Sequence, residues 1–471
     1  LSVFARACTL ISALAFGRAF RLPDLLQLPG LFDAWFNADP PWVRWCWLIG
    51  GVLVLLLVHW VTARAFRALS EPARRPVVAG RMLVALQAVV FAGLAAPSAR
   101  ADHASARAFH ASSLSPLGYE AVRSVRLWID PELSLRPMRE ELARGERRMA
   151  TVPTGLERLG GADVHVLVVE SYGRMALRHP ALAEHVHALW AELRDRIAAA
   201  GWAARSAAFQ PSVLGGASGL AHAELLTGVR VGEERARELL MASDLAPLPR
   251  RFRAAGYHTV EVLPEMPWHW VEGDAFYGFD RSVVQEDFGY GGFAYHFGLM
   301  PDQFALHWTS ANVVEPATRP LFVVYVGVSS HAPWSFVPPL VEDWRIDART
   351  FAAPPATRHP IGYENMLTDP RALPAYRDAL DYALRAAVGY ALRLPRRSIV
   401  VVLGDHQPAF ARSFEPVDLS FDVPLHVLAS DPALLEPLDG TGFVDGLIVP
   451  ESVYAPPLAE FAPLFLGAWS R

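Results

Sequence analysis

Four polar residues lie at the ends of apolar runs, where a folded chain can bring side chains together around a metal. Glu170 follows the apolar run 164–169, and Asp405 and His406 follow a second such run. Ser218 lies in a glycine-rich turn just before a stretch with helical character. Two carboxylates, one imidazole and one hydroxyl together predict a metal-activated nucleophile for phosphoryl or sulfuryl transfer.

Each of these residues also has a structural alternative. Glu170 could cap a helix or form a salt bridge, and Ser218 could be an ordinary serine N-cap. Asp405 and His406, adjacent after a buried strand, form the most specific single motif, with a structural aspartate as the alternative. As a ligand set, these four groups suit Mn²⁺ or Zn²⁺ better than Mg²⁺, because one ligand is a nitrogen.

Three further residues are candidates for contact with substrate. His331 follows the apolar run 321–328 and could orient a phosphate oxygen or protonate a leaving alkoxide, with a loop histidine as the alternative. Trp268 and Trp270 belong to an aromatic cluster that could bind a sugar, a glycerol group or lipid headgroups, or could simply pack. Among the remaining histidines, which we assign to structural or surface roles, the assignment is least secure for His222.

The elements that must position these residues alternate between strands and helices. Short β-branched runs occupy 164–169, 259–263, 321–328, 399–403 and 425–428, and helix-like stretches lie near 181–200, 220–227, 234–242, 248–255 and 373–393. This pattern predicts an α/β fold with a mostly parallel central sheet flanked by helices. In such sheets the active site forms at the C-terminal ends of the strands, which is where Glu170, His331 and Asp405 fall.

Residues 1–98 are predicted to be a transmembrane region with two to three helices. The segment 42–62 is apolar at its centre with tryptophans at both ends, and 82–97 is a second apolar run. The segment 1–20 is a weaker candidate, with an interfacial helix as the alternative. Because the loop between the two firmer spans is rich in arginine, it is expected in the cytoplasm, and the chain after residue 98 on the outer face.

The rest of the chain divides into a juxtamembrane tether at 99–160, with a solvated charged helix at 137–149, and a catalytic domain at 161–471. The formal net charge of −5 argues against a nucleic-acid partner, since such proteins usually carry a basic patch. The two cysteines, Cys8 and Cys46, precede the catalytic domain. That domain is therefore predicted to have neither a disulfide framework nor a cysteine-rich zinc site.

The order of these motifs resembles the sulfatase-like branch of the alkaline phosphatase superfamily. The segments that carry the resemblance are 170–171, 215–218, 224–228, 256–259, 277–280, 330–333 and 404–408. The chain looks most like the lipoteichoic acid synthase and phosphoglycerol transferase enzymes, with the phosphoethanolamine transferases further off. The resemblance covers roughly residues 161–450, and the N-terminal membrane anchor agrees with the same architecture.

The resemblance implies that one divalent metal is bound by four side chains, Glu170, Ser218, Asp405 and His406, and that His331 contacts the substrate. It implies transfer of a phosphoglycerol- or phosphoethanolamine-type headgroup from a phospholipid to an envelope glycan or lipid acceptor, through a phosphoserine-type intermediate. Two positions depart from the family. Ser218 replaces the usual threonine, and Glu272 stands where an arginine that holds glycerol phosphate is expected. The Cys/Ser-x-Pro-x-Arg motif of sulfatases is absent at Ser218, which disfavours sulfate ester hydrolysis.

Two other functions remain open on the sequence. A phosphodiesterase or phosphatase-type hydrolase of the same superfamily would use water as the acceptor. A non-catalytic envelope scaffold would not need to retain a metal. The predicted location is the bacterial cytoplasmic membrane, crossed more than once, with the catalytic domain on the outer or periplasmic face.

Overall fold

A computed structural model describes residues 132–295, 300–334, 336–347, 350–351, 353, 361, 369–408, 411, 420–449 and 454–470. The predicted membrane spans at 1–20, 42–62 and 82–97, and the tether as far as residue 131, lie outside the described residues. Within the described ranges, no helix combines the length and the apolar character needed to cross a bilayer.

An eight-stranded mixed sheet runs through the described part of the chain. Its strands are β1 (Asp163–Val169), β2 (Ala203–Phe209), β3 (His258–Leu263), β4 (Arg281–Val284), β5 (Leu321–Val326), β6 (Ser398–Gly404), β7 (Val423–Ala429) and β8 (Val444–Asp445). Across the sheet their order is β4-β3-β5-β1-β6-β7-β2-β8. The neighbours from β4 to β6 are parallel, whereas β7 is antiparallel to β6 and β2, and β8 is antiparallel to β2. The α/β prediction is confirmed, and the sheet is mixed because its β7–β8 side is antiparallel.

The five predicted strands are all present, each within two residues of its expected ends. The sequence pattern does not reveal β2, β4 or β8. β2 is rich in alanine, which has low β-propensity, and β4 and β8 have only four and two residues. These three segments are strands because a neighbouring strand offers hydrogen-bonding partners, and local preference alone does not specify them.

Ten α-helices accompany the sheet among the described residues. They are α1 (Glu132–Thr151), α2 (Met175–Arg178), α3 (Pro180–Ala199), α4 (Ser218–Thr227), α5 (Glu234–Met241), α6 (Leu248–Ala254), α7 (Val271–Tyr277), α8 (Asp302–Thr309), α9 (Ala372–Ala391) and α10 (Phe461–Trp469). The five predicted helices correspond to α3, α4, α5, α6 and α9. The charged helix expected at 137–149 is part of α1, whose Met149 is buried in the core, so α1 is not solvated on all sides.

Two hydrophobic cores cover the two faces of the sheet. Alternate residues of β1 point to opposite faces, with Leu167 in one core and Val166 in the other. Trp190 of α3 packs in the first core and Phe465 of α10 in the second. Because β1 and β6 are parallel neighbours, the polar groups that follow these two buried strands emerge together at one edge of the sheet.

Candidate metal and nucleophile site

The C-terminal ends of β1 and β6 bring two of the predicted motifs side by side. Glu170 directly follows β1, and Asp405 and His406 directly follow β6. The parallel register pairs Val169 with Gly404 at the last step of the two strands. All three polar side chains are buried, with 6%, 1% and 1% exposure respectively. The register therefore sets the separation of groups that lie more than two hundred residues apart in the sequence.

Glu170, Asp405 and His406 each offer one ligand atom within 4.8 Å of the other two. Nε2 of His406 lies 3.4 Å from Oε1 of Glu170 and 3.4 Å from Oδ2 of Asp405. Oδ1 of Asp405 accepts the backbone N–H groups of Ser171 and His406, both at 2.8 Å. Oδ2 is buried and has no hydrogen-bond partner among the described residues. Since a buried carboxylate oxygen is costly when unpaired, the donor set fits a divalent cation.

His406 is oriented for ligation through Nε2. Its Nδ1 lies 2.7 Å from the backbone carbonyl of Gln407, to which it donates in the neutral ring, so the Nε2 lone pair points toward Glu170 and Ser218. Burial alone would lower the pKa of His406, but the carboxylates of Asp405 and Glu170 outweigh it and raise the pKa. A metal ion bound at Nε2 would take the place of the proton that these carboxylates hold there.

The same contacts separate the pKa values of the two carboxyl groups. Burial and the charge of Asp405 raise the pKa of Glu170 to about 7. Burial also disfavours the ionised form of Asp405, but His406 and His222 more than compensate and lower its pKa below the usual value. Two carboxyl groups whose pKa values separate in this way repel each other within one site, and a bound cation would offset that repulsion.

Ser218 reaches this cluster from a different part of the chain. Its Oγ donates to Oε2 of Glu170 at 3.1 Å and lies 3.0 Å from Nε2 of His406. Ser218 is the first residue of α4, and Ala217 before it has a left-handed φ of +57°. Gly215 forms an isolated parallel bridge with Gln407, which ties the turn to the segment that carries Asp405 and His406. The structure thus brings the predicted hydroxyl together with Glu170 and His406.

A cavity of about 510 Å³ opens directly from this cluster. Glu170, Ser218 and His331 lie on its wall, and so does Trp270. Trp268 is 69% exposed and is not among the residues that line the cavity. Of the two tryptophans predicted to contact substrate, the structure therefore brings only Trp270 to the cavity. The other lining residues include His222, Arg237, Glu261, Glu265, Met266 and Tyr277.

His331 enters the cavity from the loop after β5. Ser330 fixes this loop, because its Oγ donates to the backbone carbonyl of Glu170 at 2.7 Å. Nδ1 of His331 lies 2.6 Å from the backbone carbonyl of Ala332, so in the neutral ring Nε2 carries the lone pair. Burial lowers the pKa of His331 to about 4. The ring is therefore neutral near pH 7 and is better suited to accept a proton than to protonate a leaving alkoxide.

His222 belongs to the site although the sequence pattern assigns it no role. Its Nε2 lies 3.7 Å from Oδ2 of Asp405, and neither atom has a hydrogen-bond partner within the part of the chain that is described. His222 comes four residues after Ser218 on α4, so both side chains share one helix face. That spacing is visible in the sequence, but it acquires meaning only when Ser218 is placed beside Asp405.

No protein-family model and no curated protein matches the sequence. Solved structures do match. The integral membrane protein lipooligosaccharide phosphoethanolamine transferase A (EptA) from Neisseria meningitidis is 13% identical, with 99% of this chain and 84% of that chain covered and a TM-score of 0.53. The Streptococcus pyogenes phosphoglycerol transferase GacH, in complex with sn-glycerol-1-phosphate, is 13% identical, with coverages of 70% and 82% and a TM-score of 0.42.

The lipoteichoic acid synthase LtaP from Listeria monocytogenes is 16% identical, with 56% of this chain covered and a TM-score of 0.40. The match spans 65% of the LtaP chain. At 13% identity, the likeness to EptA concerns the fold. The chain therefore has a fold similar to that of EptA, in agreement with the fold that the motif order implies.

Proposed function

We propose that this protein is a metal-dependent phosphotransferase that uses Ser218 as its nucleophile. The observation that carries the proposal is the position of the Ser218 hydroxyl, 3.1 Å from Oε2 of Glu170 and 3.0 Å from Nε2 of His406 at the wall of a cavity. An ordinary serine N-cap would direct its oxygen to the backbone N–H groups of its own helix. Here Ala217 is the N-cap residue and Ser218 is the first residue of the helix, and the Ser218 hydroxyl contacts the acid–imidazole cluster.

The residues that would hold the metal are Glu170, Asp405 and His406, with the Ser218 oxygen as a fourth ligand. Their mixed oxygen and nitrogen donors suit Mn²⁺ or Zn²⁺. When bound, such an ion lowers the pKa of the nucleophilic hydroxyl and offsets charge on phosphoryl oxygens.

In the first half-reaction, Ser218 Oγ attacks the phosphorus of a phospholipid headgroup. A bond forms between Oγ and phosphorus, and the bond between phosphorus and the diacylglycerol oxygen breaks. The hydroxyl proton leaves along the hydrogen bond to Glu170, and the leaving diacylglycerol alkoxide takes up a proton from water. Ser218 begins α4, and the N-terminus of a helix is a favourable position for phosphate oxygens.

In the second half-reaction, a hydroxyl group of the acceptor attacks the same phosphorus and releases Ser218. Neutral His331 is positioned on the cavity wall to take the proton of that hydroxyl. We propose an envelope glycan or lipid as the acceptor and a phosphoglycerol- or phosphoethanolamine-type headgroup as the transferred group. The fold shared with EptA, an integral membrane lipooligosaccharide phosphoethanolamine transferase, supports this assignment and a location on the outer face of the bacterial cytoplasmic membrane.

The test compares Ser218→Ala with the wild-type protein in phospholipid vesicles, measuring diacylglycerol release and bound metal. We expect release to fall to the background rate in Ser218→Ala, because the attacking oxygen is gone. Ser212→Ala is a matched control, since its hydroxyl accepts a hydrogen bond from Arg230 and is not part of the cluster. Diacylglycerol release by Ser218→Ala at the wild-type rate would contradict the proposal.

Product analysis distinguishes the remaining alternatives. Release of the free headgroup phosphate in the presence of a glycan or lipid acceptor, with no transfer, would identify a hydrolase. A protein that binds no stoichiometric metal and releases no diacylglycerol would be a scaffold.

A further inference from the structure

The cavity wall carries two acids that the reaction above does not use, the buried Glu261 and the half-buried Glu265. Glu261 lies on β3 and Glu265 lies two residues after the end of that strand. Both line the cavity that contains Ser218. Glu261 is only 9% exposed, and its strand neighbours Val260 and Val262 pack in the core on the other face of the sheet. The alternation of β3 therefore directs the Glu261 carboxyl group toward the cavity.

Neither carboxyl group has a cationic partner within the described residues. Oε2 of Glu265 is buried and makes no hydrogen bond there, and no hydrogen bond or ion pair of Glu261 is seen among the same residues. Burial raises the pKa of each to about 8, and the charge of Glu261 adds to the effect on Glu265. A cationic ligand would stabilise two carboxyl groups that face one cavity without a counter-charge.

The guanidinium group on the cavity wall is already engaged elsewhere. Nε of Arg237 donates to Oε2 of Glu234 at 2.7 Å, and its guanidinium group stacks 5.0 Å from the centre of the Trp270 ring. Trp270 and Tyr277 place aromatic rings on the wall of the same cavity. Aromatic rings attract ammonium groups, and carboxylates accept their N–H bonds, so the two features favour the same ligand.

We infer that Glu261 and Glu265 bind the primary ammonium group of an aminoethyl phosphodiester. On this inference, which rests on the proposed function, the transferred headgroup is of the phosphoethanolamine type. A glycerol headgroup would leave both acids without a counter-charge, and a quaternary ammonium group would offer them no N–H donor. Glu272, where the sequence departs from the glycerol-phosphate enzymes, is exposed and is not among the cavity-lining residues, so it is not part of this subsite.

The experiment measures diacylglycerol release by the full chain in vesicles that present ethanolamine, glycerol or choline headgroups. We expect release from the ethanolamine lipid to be at least about tenfold faster than from the other two. Glu261→Gln and Glu265→Gln should each slow that reaction by about 10- to 100-fold, because one partner of a buried ion pair is lost. Glu272→Gln, a surface acid on α7, is the matched control and should retain the wild-type rate.

A binding measurement separates recognition from turnover. Calorimetry on the Ser218→Ala protein should detect free phosphoethanolamine at least about tenfold more tightly bound than glycerol phosphate, and adding Glu265→Gln should remove the difference. Glu265→Asp retains the charge and should preserve the preference for phosphoethanolamine over glycerol phosphate. It therefore keeps the inference testable if the Gln variant fails to fold. Melting temperatures of all variants are compared with that of the wild type.

The outcomes distinguish the inference from the function on which it rests. If no lipid yields diacylglycerol, the proposed function and the inference fall together. If the glycerol lipid reacts as fast as the ethanolamine lipid, or if the Gln variants slow both equally, the inference fails while the phosphotransferase proposal stands. Equal binding of the two free phosphates by the Ser218→Ala protein would also overturn the inference.

Discussion

Asp405→Asn is the substitution that tests the metal site most directly. In the wild type, Oδ1 accepts two backbone N–H groups at 2.8 Å, while Oδ2 has no hydrogen-bond partner among the described residues. The Asn carbonyl oxygen can keep both backbone hydrogen bonds. Its amide group, however, places a neutral N–H₂ where the metal would be bound. We therefore expect a folded protein with weakened metal binding.

The size of the effect follows from two separate contributions. Asp405→Ala leaves two buried N–H donors without an acceptor, which costs about 1–3 kcal/mol for each donor, or about 2–6 kcal/mol in total. Asp405→Asn avoids that loss, so the unfolding free energy of its metal-free form should stay within about 1 kcal/mol of wild type. If the metal concentration is 100 times the wild-type Kd, binding adds about 2.7 kcal/mol of stability, and a 100-fold weaker Kd reduces this to about 0.4 kcal/mol.

The assay is equilibrium unfolding of the three proteins with and without added Mn²⁺ or Zn²⁺, together with measurement of bound metal. We expect wild type to gain stability on metal addition, and Asp405→Asn to gain almost none from the same starting stability. Asp405→Ala should have a lower unfolding free energy without metal, and it should also gain almost no stability when metal is added. If Asp405→Asn bound stoichiometric metal and gained as much stability as wild type, Oδ2 would not be a ligand and the reasoning would be refuted.

Two further predictions concern stability. Burial lowers the pKa of His426 to about 3, below its ordinary value of 6.5, so the folded protein holds it neutral. The stability that this neutral His426 contributes is complete above pH 6.5 and is lost as the pH falls toward 3, by up to about 1.4 kcal/mol per pH unit. His426→Gln should therefore reduce the slope of the unfolding free energy against pH between pH 6.5 and 3. An unchanged slope would contradict this prediction. At Gly404, an added Cβ would lie 1.8 Å from the backbone oxygen of Tyr172, so Gly404→Ala should destabilise the protein by about 1–3 kcal/mol in chemical denaturation. Gly232→Ala, where the nearest atom of Ser212 is 3.6 Å away, is the control and should be nearly neutral; equal effects would contradict the packing argument.

Most of the α/β architecture could be predicted from the sequence, because the strands β1, β5 and β6 are continuous apolar runs. It did not reveal β2, whose alanine-rich sequence is stabilised as a strand by pairing with β7. It also did not reveal that β7 is antiparallel to β6, since the direction of β7 depends on its partners and not on its own residues. Short-range patterns encode the type of an element, whereas its direction in the sheet is set by long-range contacts.

The residue types of the site could also be predicted, because a buried strand followed by a charged residue is locally unusual. The distances between Glu170, Ser218 and His406 could not, since they depend on the register of β1 against β6 and on the bridge from Gly215. The positions of His222 and Glu261 beside the site are even harder to predict from the sequence. Each is an ordinary residue in the one-dimensional chain.

The amino-acid sequence by itself thus determined which elements form and which polar groups stand at their ends, because periodicity and turn residues act over a few positions. The tertiary structure alone decided which of those groups meet and which acids face the cavity. Such meetings depend on strand order and packing across hundreds of residues, and no local pattern in the chain specifies them.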